Sequence, residues 1–124
     1  MLLTNNQIYQ FYKNIYMLDG DLKLPIKISF KIQKNKNTLQ PLAEEIEKAL
    51  MTLYSQYGEY NDNGKILIHQ EYIEKCNREI EELMNITQEV YILKIQLSEL
   101  EDSLYVSNDT MKALMFMIQE EKED

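Results

Sequence analysis

The sequence predicts a mostly helical α+β fold. Residues 39–57 and 70–84 carry apolar side chains at helical spacing, and they flank a polar turn that contains Gly58 and Gly64. This arrangement predicts a helical hairpin. Residues 90–97 are rich in β-branched and aromatic side chains, which indicates a strand. We therefore expect the hairpin, together with short N- and C-terminal helices, to pack around a small β-sheet.

The first predicted element is a short N-terminal helix. Thr4 or Asn5 can cap it, because a side-chain oxygen at that position can accept a hydrogen bond from the first turn. The apolar positions that follow at helical spacing are Ile8, Phe11, Tyr12, Ile15 and Leu18. Asp19 and Gly20 then predict the end of this helix.

Residues 22–34 fit two structures. Apolar residues from Leu22 to Ile32 alternate with polar residues and Pro25, which is typical of a half-buried strand. Other apolar residues continue the helical phase of residues 39–57 back to Ile28, interrupted only at Asn35. Pro25 is also suited to the first turn of a helix. Both a strand and one long helix, kinked at Pro41, therefore stay open.

The hairpin helices and the C-terminal helix complete the predicted elements. Gly58 ends the first hairpin helix, residues 66–68 form a short strand, and the return helix covers residues 70–84. Ser107 caps a last helix that extends to Ile118, and residues 119–124 form an acidic tail. We expect one domain over residues 1–118.

The charge distribution limits the possible partners. The 124 residues carry a net charge of −8, but residues 1–40 hold six Lys against two Asp, and residues 41–124 hold seven basic against nineteen acidic residues. Most of this surface repels phosphate, so nucleic acid is an improbable partner and a basic protein is favoured. One Cys and one His allow neither a disulfide nor a zinc site in one chain. With no leader or membrane span in view, we expect a cytoplasmic protein.

The polar turn and the lysines could each form a binding site, but a purely structural role is favoured for both. Glu59, Asn61 and Asn63 match the first positions of a calcium loop, but Gln70 stands where the bidentate carboxylate is needed, so a simple polar turn is favoured. Its Asn and Gly residues are expected to adopt left-handed backbone angles. The basic patch of lysines between residues 23 and 34 is small and has no nucleic-acid-binding motif. We predict no catalytic residues, no metal and no cofactor.

A possible partner surface combines acidic helix positions with the last helix. That helix is apolar almost all round, which predicts either a core position or an interface between copies of the chain. The residues assigned to this surface are Glu44, Glu45, Glu79, Glu81, Glu82, Met111, Met115, Phe116 and Met117.

The order of elements resembles a group of small phage proteins. It is carried by Leu24-Pro25-Ile26-Lys27 through Lys34-Asn35, by Tyr57-Gly58-Glu59 leading into Asn63-Gly64-Lys65, and by Ile95-Gln96-Leu97-Ser98-Glu99-Leu100 before residues 107–118. The chain is similar in this respect to uncharacterised proteins of phages and prophages of low-GC Gram-positive bacteria. The resemblance implies a phage-type origin and an intracellular role during infection, and it implies no catalytic residues.

These observations predict a nonenzymatic protein-binding module of phage type. Its acidic surface suggests an inhibitor or modulator of a host defence or nucleic-acid-handling protein. The alternative is a homo-oligomeric structural or assembly component, held together by the Met-rich helix. A calcium-binding hairpin is the lesser alternative.

Overall fold

The computed structural model describes residues 1–18, 24–96, 98–99 and 108–119. Two single 3₁₀ turns, Gln70–Tyr72 and Met115–Met117, accompany the regular elements. In chain order, these elements are β1 (Leu2–Thr4), α1 (Asn5–Tyr16), α2 (Ile26–Tyr57), β2 (Gly58–Tyr60), β3 (Ile66–Ile68), α3 (Ile73–Met84), β4 (Thr87–Glu89), β5 (Ile95–Gln96), α4 (Asn108–Leu114) and β6 (Ile118–Gln119). The predicted mostly helical α+β class is confirmed.

Among the described residues, the β-structure consists of three short strand pairs. Strand β1 pairs with β4 and β2 with β3, both antiparallel, whereas β5 pairs in parallel with β6. Leu3 lies opposite Gln88 in the first pair, and Ile95 lies opposite Ile118 in the third. The β1–β4 and β5–β6 pairs therefore join parts of the chain that are distant in sequence, whereas β2 and β3 form a local hairpin.

Helix α1 begins as its sequence predicts. The Thr4 hydroxyl accepts a hydrogen bond from the Gln7 amide at 3.1 Å, and the Gln7 side chain accepts one from the Thr4 amide at 2.9 Å. This reciprocal pair satisfies amides that the first helical turn leaves free. Ile8 and Ile15 are buried on the inner face of the helix, while residues 19–23, where its predicted stop lies, are outside the described part.

Residues from 26 onward are helical, so of the two open alternatives the long helix is correct. Helix α2 covers Ile26–Tyr57, and the Pro25 carbonyl accepts hydrogen bonds from the amides of Ile28 and Ser29, both at 3.0 Å. Ile28, Asn35 and Leu39 share its buried face. The strand-like alternation arose because Ile26 and Phe30, at positions facing away from the core, are apolar; they are 82% and 58% exposed.

The helical hairpin is present, with a β-hairpin at its tip. Strands β2 and β3 connect α2 to the 3₁₀ turn that precedes α3. Gly58 lies so close to the facing strand that a Cβ atom would be 2.4 Å from the Leu67 carbonyl oxygen. Gly64 has φ of 76°, and it alone among the described residues has a positive φ, so the expectation of left-handed Asn residues is wrong.

The predicted strand over residues 90–97 is largely wrong. Of the residues that the structure describes there, only Ile95–Gln96 forms a strand, and residues 90–94 have no regular secondary structure. Tyr91 is 77% exposed, whereas its neighbour Val90 is buried. The physical reason is that Asn35 of α2 supplies the hydrogen bonds that a neighbouring strand would otherwise supply to Leu93.

The C-terminal helix is shorter than predicted. Helix α4 ends at Leu114 and is followed by a 3₁₀ turn and strand β6, and its predicted cap, Ser107, lies outside the described residues. Gln119, expected at the start of the acidic tail, pairs with Gln96, and residues 120–124 are also outside the described part. The core lies between α1, α2 and the C-terminal segment and includes Ile8, Leu39 and Leu114.

Candidate functional site

A shallow groove lies between the second half of α2 and α3. Positions three, four and seven apart on a helix share one face, and the groove is formed by one such stripe from each helix. Its walls are Ala49, Thr52 and Leu53 from α2, and Glu79, Glu82, Leu83 and Ile86 from α3 and the residues after it. The floor is therefore apolar, and the α3 side carries two carboxylates.

A second depression continues the groove over the outer face of α2. Thr52 lines both depressions, so the two surfaces are contiguous. The side chains that form the second depression are Glu44, Glu47, Lys48, Met51 and Thr52. We call the combined surface the acidic groove. Met51 and Ile86, at 42% and 52% exposed, are the apolar side chains most open to solvent in it.

The electrostatics of this region favour a cationic ligand. Residues 41–57 and 73–84 together contain seven Glu against three basic residues, a net charge of −4. Among the described residues, none of these carboxylates forms an ion pair. Glu44 accepts a hydrogen bond from the Gln40 side chain at 3.1 Å, a neutral donor that leaves its charge uncompensated. The groove therefore combines uncompensated negative charge with apolar surface.

One carboxylate, Glu79, interacts with Tyr57, the last residue of α2. Its hydrogen bond to Tyr57, with the burial of that ring, raises the pKa of Tyr57 to about 12. The Oε2 atom of Glu79 is itself shielded from solvent and has no donor. Burial, with the Glu79 charge as a lesser cause, also raises the pKa of the Cys76 thiol. The raised pKa values keep the Tyr57 hydroxyl and the Cys76 thiol protonated at physiological pH, so neither is an activated nucleophile.

The structure brings together only part of the predicted partner surface. Glu44, Glu79 and Glu82 line the acidic groove. Glu45 is exposed one helical turn before Ala49 on the same stripe of α2, beside the groove and not among the residues that line it. Glu81 is exposed but is not among the residues that line the groove, because its position on α3 is about 100° round the helix from Glu82.

The apolar residues assigned to that surface belong to a separate region. Phe116 stacks on Phe11 of α1 with ring centroids 4.5 Å apart, and Met111 is partly buried against the core. Met117 is fully buried, so its assignment to a partner surface is wrong: α1 and strand β5 enclose this segment more completely than its composition suggested. Only Met115, 66% exposed, is open to solvent.

The polar turn at the hairpin tip is built by Asn61. Its side-chain oxygen accepts hydrogen bonds from the amides of Asn63 at 3.0 Å and Lys65 at 2.9 Å. This atom is thus engaged in forming the turn. Glu59 lies 3.9 Å from the Nε2 atom of His69. Within the described residues, no group of three or more His, Cys, Asp or Glu side chains is arranged to hold a metal.

A second surface, at the start of α2, was not predicted as a site. Ile26, Phe30 and Leu93 form an apolar patch bordered by Lys27 and Lys31. The available signal was this pair of apolar residues four positions apart, in a segment for which a half-buried strand and a long helix both stayed open. We call Ile26, Lys27, Phe30 and Lys34 the basic stripe; the Lys34 Nζ atom lies 5.6 Å from the centre of the Phe30 ring.

Comparisons of the chain with models of protein families, with curated proteins and with solved structures give no match. No helix among the described residues has the length and apolarity needed to cross a membrane.

Proposed function

We propose that this protein is a nonenzymatic protein-binding module of phage type that captures a basic, amphipathic segment of a host protein in the acidic groove. The observation that carries the proposal is the combination of an apolar floor with carboxylates that no described cation neutralises. Amphipathic helices dock through apolar side chains spaced three and four residues apart, and a groove between two helices accepts that spacing. The host cytoplasm is the proposed compartment.

The partner proposed here is a basic protein, such as a defence or nucleic-acid-handling protein of the host. Lysines or arginines beside the apolar anchors would meet Glu82 on one side of the groove and Glu44 or Glu47 on the other. Complementary charge of this kind raises the association rate and excludes acidic competitors, whereas the apolar floor supplies most of the affinity. Binding would block the partner without any chemical step.

The proposal can be tested with two synthetic amphipathic helical peptides that differ only in charge. In one, Leu residues at helical spacing are accompanied by Lys, and in the other every Lys is replaced by Glu. We expect the Lys peptide alone to bind, measured by calorimetry or fluorescence anisotropy. Raising the salt concentration from about 0.05 M to 0.5 M should slow association far more than it changes dissociation.

Glu81 and Glu82 provide a matched pair of variants for the same assay. Both are exposed glutamates on α3, but only Glu82 lines the groove. Glu82→Lys should weaken binding of the Lys peptide by about tenfold or more, because a repulsive contact replaces an attractive one. Glu81→Lys makes the same change in net charge and should have little effect. Equal losses in both variants would mean that only overall charge matters, and the groove would not be the site.

A second candidate function is a homo-oligomeric assembly component of a phage. The observation that favours it is the exposure of Ile26 and Phe30 on the basic stripe. The Met-rich segment gives it less support, since Met117 is enclosed in the core and Met115 is the exposed residue there.

A further inference from the structure

The two halves of α2 carry opposite charges. Residues 26–40 contain four Lys and no acidic residue, whereas residues 41–57 contain three Glu and one Lys. Helix stability does not explain this order. The positive end of the helix dipole lies at the N-terminus, yet Lys27 is in the first turn and no acidic residue is there. The segregation of charge therefore needs another explanation.

The basic stripe has the properties of the ligand that the acidic groove is suited to bind. Ile26 and Phe30 lie one turn apart and are largely exposed, while Lys27 and Lys34 flank them. Neither lysine forms an ion pair with a residue that the structure describes. The chain thus carries both a basic amphipathic helical segment and an acidic, apolar groove.

The two surfaces lie on the same side of α2. Ile26 and Glu44 are eighteen residues apart, which is about five turns of 3.6 residues, so they point in the same direction. Phe30 and Lys48 are related in the same way. Pro41 lies between the two halves on the exposed side. Both halves of α2 can therefore contact the same second chain, because their exposed side chains point to one side of the helix.

We propose that, in the free protein, a second copy of the chain occupies the acidic groove. The two chains pack antiparallel along α2, about a two-fold axis near Pro41, so that the basic stripe of each lies against the acidic groove of the other. This inference rests on the proposed function, because it names what fills the groove when no other partner is present. The charge complementarity between the two halves of α2 is the observation that identifies a second copy as the occupant.

The spacing of residues along α2 suits such a dimer, because apolar residues lie opposite apolar residues and basic residues lie opposite acidic ones. Phe30 is eleven residues before Pro41 and Met51 is ten after it, so the apolar side chains of the two copies meet. Lys34 is seven residues before Pro41 and Glu45 is four after it, and the eleven residues between them, about three helical turns, keep both on one side of α2, which brings opposite charges of the two copies together. A two-fold interface contains each of these contacts twice. Self-association would also regulate the site, because a host protein must displace the second copy to bind.

The experiment uses two complementary charge reversals in the full chain, Lys34→Glu and Glu45→Lys. Sedimentation velocity over a range of concentrations should show a dimer for the unmodified protein. Each variant alone should dissociate about tenfold more readily or worse, because both copies of the contact become repulsive. An equimolar mixture should recover dimers, since both contacts between one Lys34→Glu chain and one Glu45→Lys chain are again attractive.

Two controls make the same charge changes elsewhere on the surface. Lys65→Glu lies in the polar turn and Glu81→Lys on α3 outside the groove. Both should dimerise like the unmodified protein, and circular dichroism should show that all four variants are folded. A monomer at every concentration, variants that dimerise normally, or a mixture that fails to recover dimers would each overturn the proposal.

The peptide assay separates this inference from the proposed function. If the unmodified chain is monomeric and the Lys peptide still binds in a manner sensitive to Glu82→Lys, the groove is a binding site and self-association is refuted. If dimers form and recover as expected but no Lys peptide competes with them, the dimer stands and capture of a basic host segment is refuted.

Discussion

The two halves of α2 use their polar side chains in different ways. In the first half, the Asn35 side chain donates to the Leu93 carbonyl oxygen at 2.9 Å and accepts from the Leu93 amide at 2.8 Å. The Lys31 Nζ atom donates to the Lys94 carbonyl oxygen at 2.8 Å. In the second half, Glu45, Glu47 and Lys48 make no side-chain hydrogen bond or ion pair to a described residue.

This difference separates the structural role of α2 from its proposed functional role. Polar groups that hold the backbone of another segment cannot be exchanged without loss of stability. Charges that face solvent contribute little to folding and are available to a partner. Substitutions in the first half should therefore affect stability, and substitutions in the second half should affect binding.

The largest expected effect is that of Leu39→Ala. Leu39 is completely buried where the two halves meet, and truncating such a side chain costs about 2–5 kcal/mol through lost burial and the cavity that remains. Met51→Ala, in the exposed part of the groove, is the control and should cost much less. Urea denaturation would measure both. Similar losses of stability in the two variants would contradict the difference described here.

Asn35→Ala should have the next largest effect. It leaves the partly buried amide and carbonyl of Leu93 without their partners, at about 1–3 kcal/mol for each group. Asn37→Ala is a matched control, because Asn37 is exposed and its side chain only accepts a hydrogen bond from Gln33. Hydrogen exchange should also show faster exchange of the Leu93 amide in the first variant alone. Unchanged protection of that amide would mean that Asn35 does not hold residues 90–94.

Asn35 also shows why part of the fold could be predicted from sequence and part could not. The N-terminal cap, the helical hairpin and its Gly-containing tip are determined by neighbouring residues, so local spacing predicted them. Asn35 looked like an interruption of a helical stripe, because its partner is a backbone group 58 residues further along the chain. The same long-range contact explains the error over residues 90–97, whose hydrogen bonds come from a side chain.

The candidate site likewise has features that local sequence predicts and features that depend on long-range packing. Composition predicted an acidic surface, and helical spacing placed its glutamates on exposed positions. Which of them face a groove depends on how α3 packs against α2, and this separates Glu82 from Glu81. Met117 was misassigned for a similar reason, since an apolar helix gives no sign of how completely α1 and β5 cover it.

The free energy of unfolding should depend on pH through Tyr57, at the C-terminal end of α2. The pKa of Tyr57 is about 12 in the folded protein and 10.0 without its neighbours. Its stabilising contribution is therefore complete below about pH 10 and is lost as the pH rises towards 12. The unmodified protein should lose more stability over this interval than Tyr57→Phe does. Tyr91→Phe, at an exposed position, is the control and should keep the full pH dependence of stability. If Tyr57→Phe also keeps it, Tyr57 is not the group responsible.

The smallest effect on stability is expected for Glu47→Gln. Glu47 is exposed, and Glu44, three residues before it on the same face, repels it, so its replacement should change the free energy of unfolding by less than about 0.5 kcal/mol. Lys31→Gln, in the first half, loses the bond to the Lys94 carbonyl and a 3.6 Å ion pair with Glu99, and should cost about 1 kcal/mol.

Binding should respond in the opposite order. Glu47→Gln removes a carboxylate of the acidic groove and should weaken association with the Lys peptide, whereas Lys31→Gln should leave it nearly unchanged once the variant is folded. Thermal denaturation and peptide titration on the same two samples measure the two effects together. A Glu47→Gln variant that is clearly less stable, or a Lys31→Gln variant that binds more weakly while folded, would mean that the two halves of α2 do not divide stability and binding between them.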